Sequence, residues 1–570
     1  MLESVETKFK DAALEKDEAE LARMGYKQEL KRELGLMQNF GVSFSIISVI
    51  TGLPSLFLYG LNTGGPAVMV WGWIVVSFFT ILVGLAMAGK SLKVIVPNTV
   101  NSERVLGYQK FAVLIQRLEG LIFGQLCCQN PKTRRSLRGF PQGWFNLLGQ
   151  VAVTTGISFA CANFLSTACT LKTDFVPTPK TTIGIYAAVL FTQGLTNTFG
   201  VHLLHYMNNI SVWWHAIGTS SLVVAILVKA PTHQSAKFVF QTFIDGTGPP
   251  GQGWSDRASS AYVVVIGMLM AQVRKKSFFK ELSNHQNAAV HSHRAHMTEE
   301  THNAAMAGSI GIVMAVSVSA VLGWFLLLGL LFSIQDLDAT LASETGQPVT
   351  QIFLDTVGEN GAIVLMVIVI GAMYFCGTFS ITSNSRMMYA FARDGGVPGH
   401  KFFNKVSATW KSPIRAVWLA CTLSFILGLP SLGSSVAFAA ATSIATIGLY
   451  ISYGIPIALR VVYRDKFVRG PFHLGAFSFP VATAAVAWIA FISIAFILPQ
   501  VNPVDSQTFN YSIVAVGIVI AYSVGFWLVS ARKWFAGPVK QIAAEEMGID
   551  VMQPGEMEKH DAAETSQSLG

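Results

Sequence analysis

The chain is a succession of long hydrophobic runs separated by short polar stretches. Runs of spanning length occur near residues 39–61, 66–88, 143–170, 181–200, 203–229, 259–272, 305–334, 361–384, 413–430, 434–459, 476–498 and 511–530. A helix rises about 1.5 Å per residue, so about 20 apolar residues cross a hydrocarbon core of about 30 Å. The pattern therefore predicts twelve membrane-spanning helices. The sixth run is short, because after Val273 the chain enters Arg274-Lys275-Lys276. Each such charge costs about 2.5–3.5 kcal/mol at the centre of a membrane helix, so the end of this run must reach the interface or be remodelled.

Composition agrees with a lipid solvent. Of the 570 residues 52% are hydrophobic and 13% charged, with a mean hydropathy of +0.48, whereas soluble domains carry roughly 25% charged residues. The net charge of +8 is no sign of nucleic-acid binding, because Lys and Arg cluster in a few loops. The loop from Ser385 to Ser412 holds Arg386, Arg393, Lys401, Lys405 and Lys411, and the loop after the tenth run holds Arg460, Arg464, Lys466 and Arg469. The turns at 62–65, 431–433 and 499–510 hold none. Positive loops stay in the cytoplasm, which places those turns outside and, with an even helix count, both termini inside. Residues 1–36 read as a charged cytosolic tail rather than a cleavable signal, 37–535 as the transmembrane domain and 536–570 as a second cytosolic tail. Cys161, Cys169, Cys376 and Cys421 lie within apolar runs, which argues against a disulfide framework.

One interruption stands out as candidate chemistry. Thr51-Gly52-Leu53-Pro54 sits in the middle of the first run, where Pro removes a backbone donor and Gly relaxes the chain, so a break is expected there. Irregular backbone at membrane depth is tolerated where it is buried or lines a cavity, and freed amides and carbonyls suit a carboxylate and an ammonium. A plain proline kink relieved by neighbouring helices is the other reading. Gln150 and Thr154, one turn apart in the third run, either face a cavity or tie helices together. No Asp or Glu lies well inside any run, so neither a carboxylate proton relay nor an embedded enzyme is visible. Repeated filter sequences of a channel are not seen either. His285, His291, His293 and His296 have no carboxylate or Cys at ligand spacing, so no metal and no cofactor is expected.

Several segments resemble one family. The stretch N-F-G-V-S-F-S-I-I-S-V-I-T-G-L-P-S-L-F-L-Y-G-L-N-T-G-G-P from Asn39 to Pro66 is similar to the first helix of the fungal amino acid/choline transporters. That branch of the amino acid-polyamine-organocation superfamily includes γ-aminobutyrate and choline permeases. G-W-F-N-L-L-G-Q from Gly143, A-H-M-T-E-E-T-H-N-A-A from Ala295, S-R-M-M-Y-A-F-A-R-D-G-G-V-P from Ser385 and G-P-F-H-L-G from Gly470 agree. The resemblance spans most of residues 35–535 and implies an all-α, leucine-transporter-like fold: helices 1–5 and 6–10 as inverted repeats, plus two more helices. It implies substrate held where helices 1 and 6 unwind, with Thr51, Gly52 and Leu53 offering backbone groups and Gln150 as a weaker candidate; Thr154 is a candidate on its spacing from Gln150 alone.

Two stretches depart from that family. Gly89 to Gln142 is polar and Arg-rich where the family reads E-I-C-S-x-Y-P-T-S-G-G-x-Y-x-W-A. Gly89-Lys90-Ser91 is encodable with a splice donor and Gln109 as an acceptor; the interval is two nucleotides plus twenty codons, a length not divisible by three. Shifting the frame of Lys110 to Gly139 by the remainder recovers Glu-Ile-Cys-Ser-Ser-Tyr-Pro-Thr-Ser-Gly-Gly-Ala-Tyr-Phe-Trp-Ala, so the segment reads as a retained intron followed by out-of-frame sequence. Residues 273–294 also differ, where the family continues its sixth helix, and no frame shift restores them. The function implied is secondary active transport of an amino acid or a related small amine such as γ-aminobutyrate or choline, by alternating access. H+ is the expected coupling ion and the plasma membrane the expected location. An inactive transporter-fold product of a mis-spliced gene is the alternative.

Overall fold

The computed structural model describes residues 36–88, 131–199, 201–271, 304–432 apart from 344, 394, 408 and 411, 437–462, and 474–529. The tails, and most of both departing stretches (89–130 and 272–303), lie outside the described residues. The architecture is all-α. In chain order the helices are α1 (Leu36–Ile47), α2 (Val49–Ser55), α3 (Phe57–Asn62), α4 (Gly65–Ala88), α5 (Pro131–Thr170), α6 (Pro179–Phe199) and α7 (Val201–Lys229). The short α8 (Ala236–Gln241) and α9 (Trp254–Arg257) precede α10 (Ser260–Ala271), α11 (Ala304–Phe332) and α12 (Leu337–Leu341). Then follow α13 (Pro348–Arg393), α14 (His400–Phe403), α15 (Ile414–Gly428), α16 (Ala437–Val462), α17 (Ser478–Ala495) and α18 (Ser512–Val529).

Each of the twelve apolar runs coincides with helix, and nine of these helices are long and apolar enough to span a bilayer among the described residues. The first run divides into α1–α3. The eighth helix begins earlier than its apolar run, at Pro348, and turns a corner at Gly358, whose φ of 71° suits glycine.

The packing is that of a protein dissolved in lipid. On α7, Leu203, Tyr206, Ile210, Trp213, Ile217, Val224 and Val228 are exposed at helical spacing, while Asn208, Ser211, His215 and Thr219 are buried on the opposite face. Apolar groups out and polar groups in is the reverse of a water-soluble helix. Inside, α5 runs antiparallel to α16: a Cβ on Gly149 would meet Leu449, and one on Gly156 would meet Thr442. At Gly448 an added Cβ would stand 3.0 Å from the Phe145 carbonyl oxygen and 3.1 Å from the Gly149 amide nitrogen. Two glycines thus let the backbones of α5 and α16 touch, the small-residue contact that lets membrane helices associate.

The two ends of the bundle differ. At one, the turn at 62–65, the loop 242–258 and the loop 499–510 interlock: Gly64 donates to the Ile244 carbonyl (2.8 Å), Asn502 to that of Thr247 (2.7 Å) and the Tyr262 hydroxyl to that of Pro499 (2.7 Å). At the other, Arg460 at the end of α16 donates to the Ala86 carbonyl at 3.0 Å and to Ser478. The turns without Lys or Arg at 62–65 and 499–510 therefore share one face.

Candidate functional site

The first helix does break, but on either side of Thr51-Gly52-Leu53-Pro54 rather than within it. Ser48 has φ 25° and ψ 88°, separating α1 from α2, and Leu56 (φ −115°, ψ 12°) separates α2 from α3. The reason is local. Pro54 cannot donate to a carbonyl one turn back, yet α2 starts afresh at Val49, so the missing bond falls near the end of a two-turn helix. Gly52 does not offer a bare carbonyl: its oxygen accepts from Leu56 N (3.2 Å) and from Ser55 Oγ (3.0 Å).

A positive φ at serine costs about 1–3 kcal/mol unless the surroundings hold it. Here they do. Ser48 donates its amide to the Phe44 carbonyl (3.0 Å) and accepts the Thr51 amide at its own carbonyl (3.0 Å). Its hydroxyl bonds that of Thr51 and lies 2.8 Å from His215 Nε2 on α7. His215 Nδ1 is 2.7 Å from the Ser211 carbonyl, which can only accept, so Nδ1 carries a hydrogen, and Nε2 pairs with the Ser48 hydroxyl. A chain of polar groups thus runs from Thr51 through Ser48 to an imidazole that is 1% exposed.

Beside this break lies a cavity of about 50 Å³, room for roughly four water molecules. Ser48, Thr51, Gly52 and Ser55 form one wall, Ala152, Gly156 and Ala160 of α5 another, and Cys376 of α13 a third. Thr442, Ala445 and Thr446 of α16 complete it. No Lys, Arg, His, Asp or Glu stands among the described residues lining it, so any charged group there must be met by hydroxyls and backbone. The Thr446 hydroxyl is fully buried and has no hydrogen-bond partner among the described residues. Such a group costs about 1–3 kcal/mol and calls for an explanation.

Of the residues singled out by sequence, Thr51 and Gly52 line the cavity; Leu53 is fully buried in the core instead. Thr154 faces α13, and Gln150 bonds within its own helix. Thr154 Oγ1 lies 2.8 Å from Ser380 Oγ and accepts from Asn384 Nδ2 at 3.3 Å, and Gln150 donates to Asn146 at 3.4 Å. Thr154 thus ties α5 to α13, and neither residue stands among those lining the cavity. Sequence reasoning missed His215, Thr442 and Thr446. Their signal was polar spacing on otherwise apolar helices: Asn208, Ser211, His215 and Thr219 on α7, and Thr442 with Thr446 one turn apart on α16.

A broken membrane helix beside a buried cavity is the architecture of a transporter's binding site. The sequence profile of the family described as Amino acid permease matches residues 135–520, and the chain belongs to that family. It is 36% identical over 550 residues to "Amino-acid permease BAT1" of Arabidopsis thaliana, covering 93% of this chain and 97% of the relative. It is 38% identical to "Amino-acid permease BAT1 homolog" of rice, Oryza sativa subsp. japonica (92% and 96% covered). It is 29% identical to the "GABA-specific permease" of Saccharomyces cerevisiae (96% and 91% covered). The chain is a multi-pass integral membrane protein and a permease, not an enzyme.

Proposed function

We propose that this permease is a secondary active transporter of a small amino acid or related amine, working by alternating access around the cavity at the first-helix break. The observation that carries the reading is the coincidence of Ser48's left-handed backbone, the isolated α2 turn and a cavity lined by Thr51 and Gly52. A bundle hinged at such a break exposes the same site to either side in turn. γ-Aminobutyrate is a first candidate because a relative's name carries it, and choline a second on the resemblance read above. H+ is the proposed coupling ion. What supports it is His215, the one histidine buried among the described residues, since imidazole alone changes charge between about pH 5 and 8 when unperturbed. The end bearing the 62–65 and 499–510 turns is proposed to face outward at the plasma membrane, both termini being cytoplasmic.

The test is uptake of labelled amino acids, γ-aminobutyrate and choline by permease-deficient yeast expressing the chain, with and without an imposed pH gradient. Saturable uptake driven by inward protons is expected. No saturable uptake at normal surface abundance overturns the transport reading, and uptake indifferent to the gradient overturns the coupling.

A further inference from the structure

We infer that Thr446 on α16 is a substrate-binding residue whose hydroxyl donates a hydrogen bond to the carboxylate of the transported amino acid. The inference rests on the transport reading above and adds to it a residue on the wall opposite the helix break.

The cavity offers few free donors. With no cation among the described lining residues, a carboxylate entering the cavity must be held by hydrogen-bond donors. Most hydroxyl and thiol hydrogens there are already engaged. Ser55 donates to the Gly52 carbonyl at 3.0 Å, and the Cys376 thiol to the Ile46 carbonyl at 3.1 Å. Ser48 and Thr51 bond each other, and Ser48 also meets His215. Thr442 has a partner as well.

Thr446 is the exception. Threonine inside a helix ordinarily turns its hydroxyl back to the carbonyl one turn earlier, as Thr80 does to Val76 and Thr155 to Val151. Thr446 makes no such bond among the described residues, though it is 0% exposed and lines the cavity. An O–H left unpaired at a cavity wall is a donor waiting for a charged acceptor, and a hydrogen bond to a carboxylate is among the stronger kinds. The neighbouring wall suits a small guest. At Gly156 an added Cβ would make ordinary contact with Thr442 at 3.7 Å, so the fold tolerates alanine there and the glycine keeps the space open.

The test is transport kinetics of Thr446→Val, which keeps the shape and removes the hydroxyl, beside Thr446→Ser, which restores it. Both are normalised to surface abundance and measured with whichever amino acid the wild type takes up. Thr446→Val is expected to raise KM by about 10–100-fold with Vmax per transporter little changed, and Thr446→Ser to return KM close to wild type. The substrate's amide, used as a competing inhibitor, is expected to lose less than the acid. A KM for Thr446→Val within about twofold of a transporting wild type, or a serine variant as impaired as the valine one, overturns the assignment. Equal losses for acid and amide overturn the carboxylate as the partner. Failure of the wild type to transport at all would strike the transport reading instead, so the two remain distinguishable.

Discussion

The bundle holds two regions built on opposite terms. Where α5, α6, α13 and α15 meet, buried polar side chains are spent on fastening helix to helix. Ser158 donates to Gln193 (2.8 Å), Thr382 to Asn197 (2.6 Å), Asn197 to the Thr378 carbonyl (3.0 Å) and Ser412 to the Asn197 carbonyl (2.8 Å). Thr155 and Tyr186 both donate to the Ser424 carbonyl, at 3.0 and 2.7 Å. At α1–α3, by contrast, the helix itself is interrupted at Ser48 and Leu56, and side-chain hydroxyls bridge the gap along the same segment. The first region is an unbroken set of helices fixed to one another by side chains; in the second the backbone ladder itself is interrupted, and ties such as Ser48 to His215, Cys376 to the Ile46 carbonyl and Tyr59 to the Ile266 carbonyl hold the pieces. On the proposed alternating-access mechanism, that contrast separates a scaffold from a moving part. Conformational change is drawn from the region whose backbone hydrogen bonds are fewest.

The largest effect is expected from filling the scaffold's tightest crossing. Gly448→Leu forces a side chain against the Phe145 and Gly149 backbones of α5, which cannot swing away as a side chain would. The cost is expected at or above the upper end of the about 1–3 kcal/mol typical of overpacking. Surface abundance and the midpoint of thermal aggregation in detergent should both collapse. Gly517→Leu on α18, where nothing lies within 4 Å, serves as the control and should change neither. A stable, abundant Gly448→Leu protein would show that α5 and α16 are not the rigid pair described here.

At the broken helix the expected effect is on function and not on fold. Gly52→Leu places a bulky side chain where α2 meets the cavity, so uptake should vanish while surface abundance stays near wild type. Near-normal uptake at equal abundance would remove Gly52 from the site; lost abundance would move α2 into the scaffold class.

How far the sequence disclosed these regions follows from what lipid demands. Length and apolarity alone placed helix at each of the twelve runs, because every buried backbone group in a bilayer must be paired within its own segment. The Gly-Pro interruption marked the right helix but the wrong residues, since Pro54 ends a short helix whose start was set by Ser48 and its tie to His215. Nothing in the linear pattern tells that tie from the many Ser and His residues elsewhere. Thr154 and Thr446 show the same limit. Both are buried threonines in apolar helices, yet one is tied to Ser380 and the other is left unpaired on a cavity. Only the rotation of α5 and α16 about their axes decides which is which, and both faces of these helices are apolar enough to hide it.

The smallest expected effect tests whether the interlocked loops belong to the scaffold or to the moving part. Asp245, in the loop that meets the 62–65 turn, is partly buried, which by itself would raise its pKa. Hydrogen bonds from the side chains and amides of Ser255 and Thr247 outweigh that and hold its carboxyl below the ordinary 3.8. The Ser255 amide lies 2.8 Å and the Thr247 amide 3.0 Å from its oxygens, and the Asp245 backbone bridges to Thr63. A carboxyl whose folded pKa is depressed contributes stability that is present above its unfolded pKa and lost as pH falls through the folded one. The loop should therefore hold at neutral pH and loosen only in acid, below the ordinary value. Hydrogen exchange of the amides at 244–256, corrected for the intrinsic effect of pH, should show protection declining in that window for the wild type. Asp245→Asn should be less protected already at pH 6 and show no further decline, because the amide cannot offer the same set of acceptors. If the two proteins exchange alike at both pH values, the carboxylate is not what holds the loop. Faster exchange that spreads to α3 and α4 in the variant would instead tie this outer clamp to the broken helix and make it part of the gate.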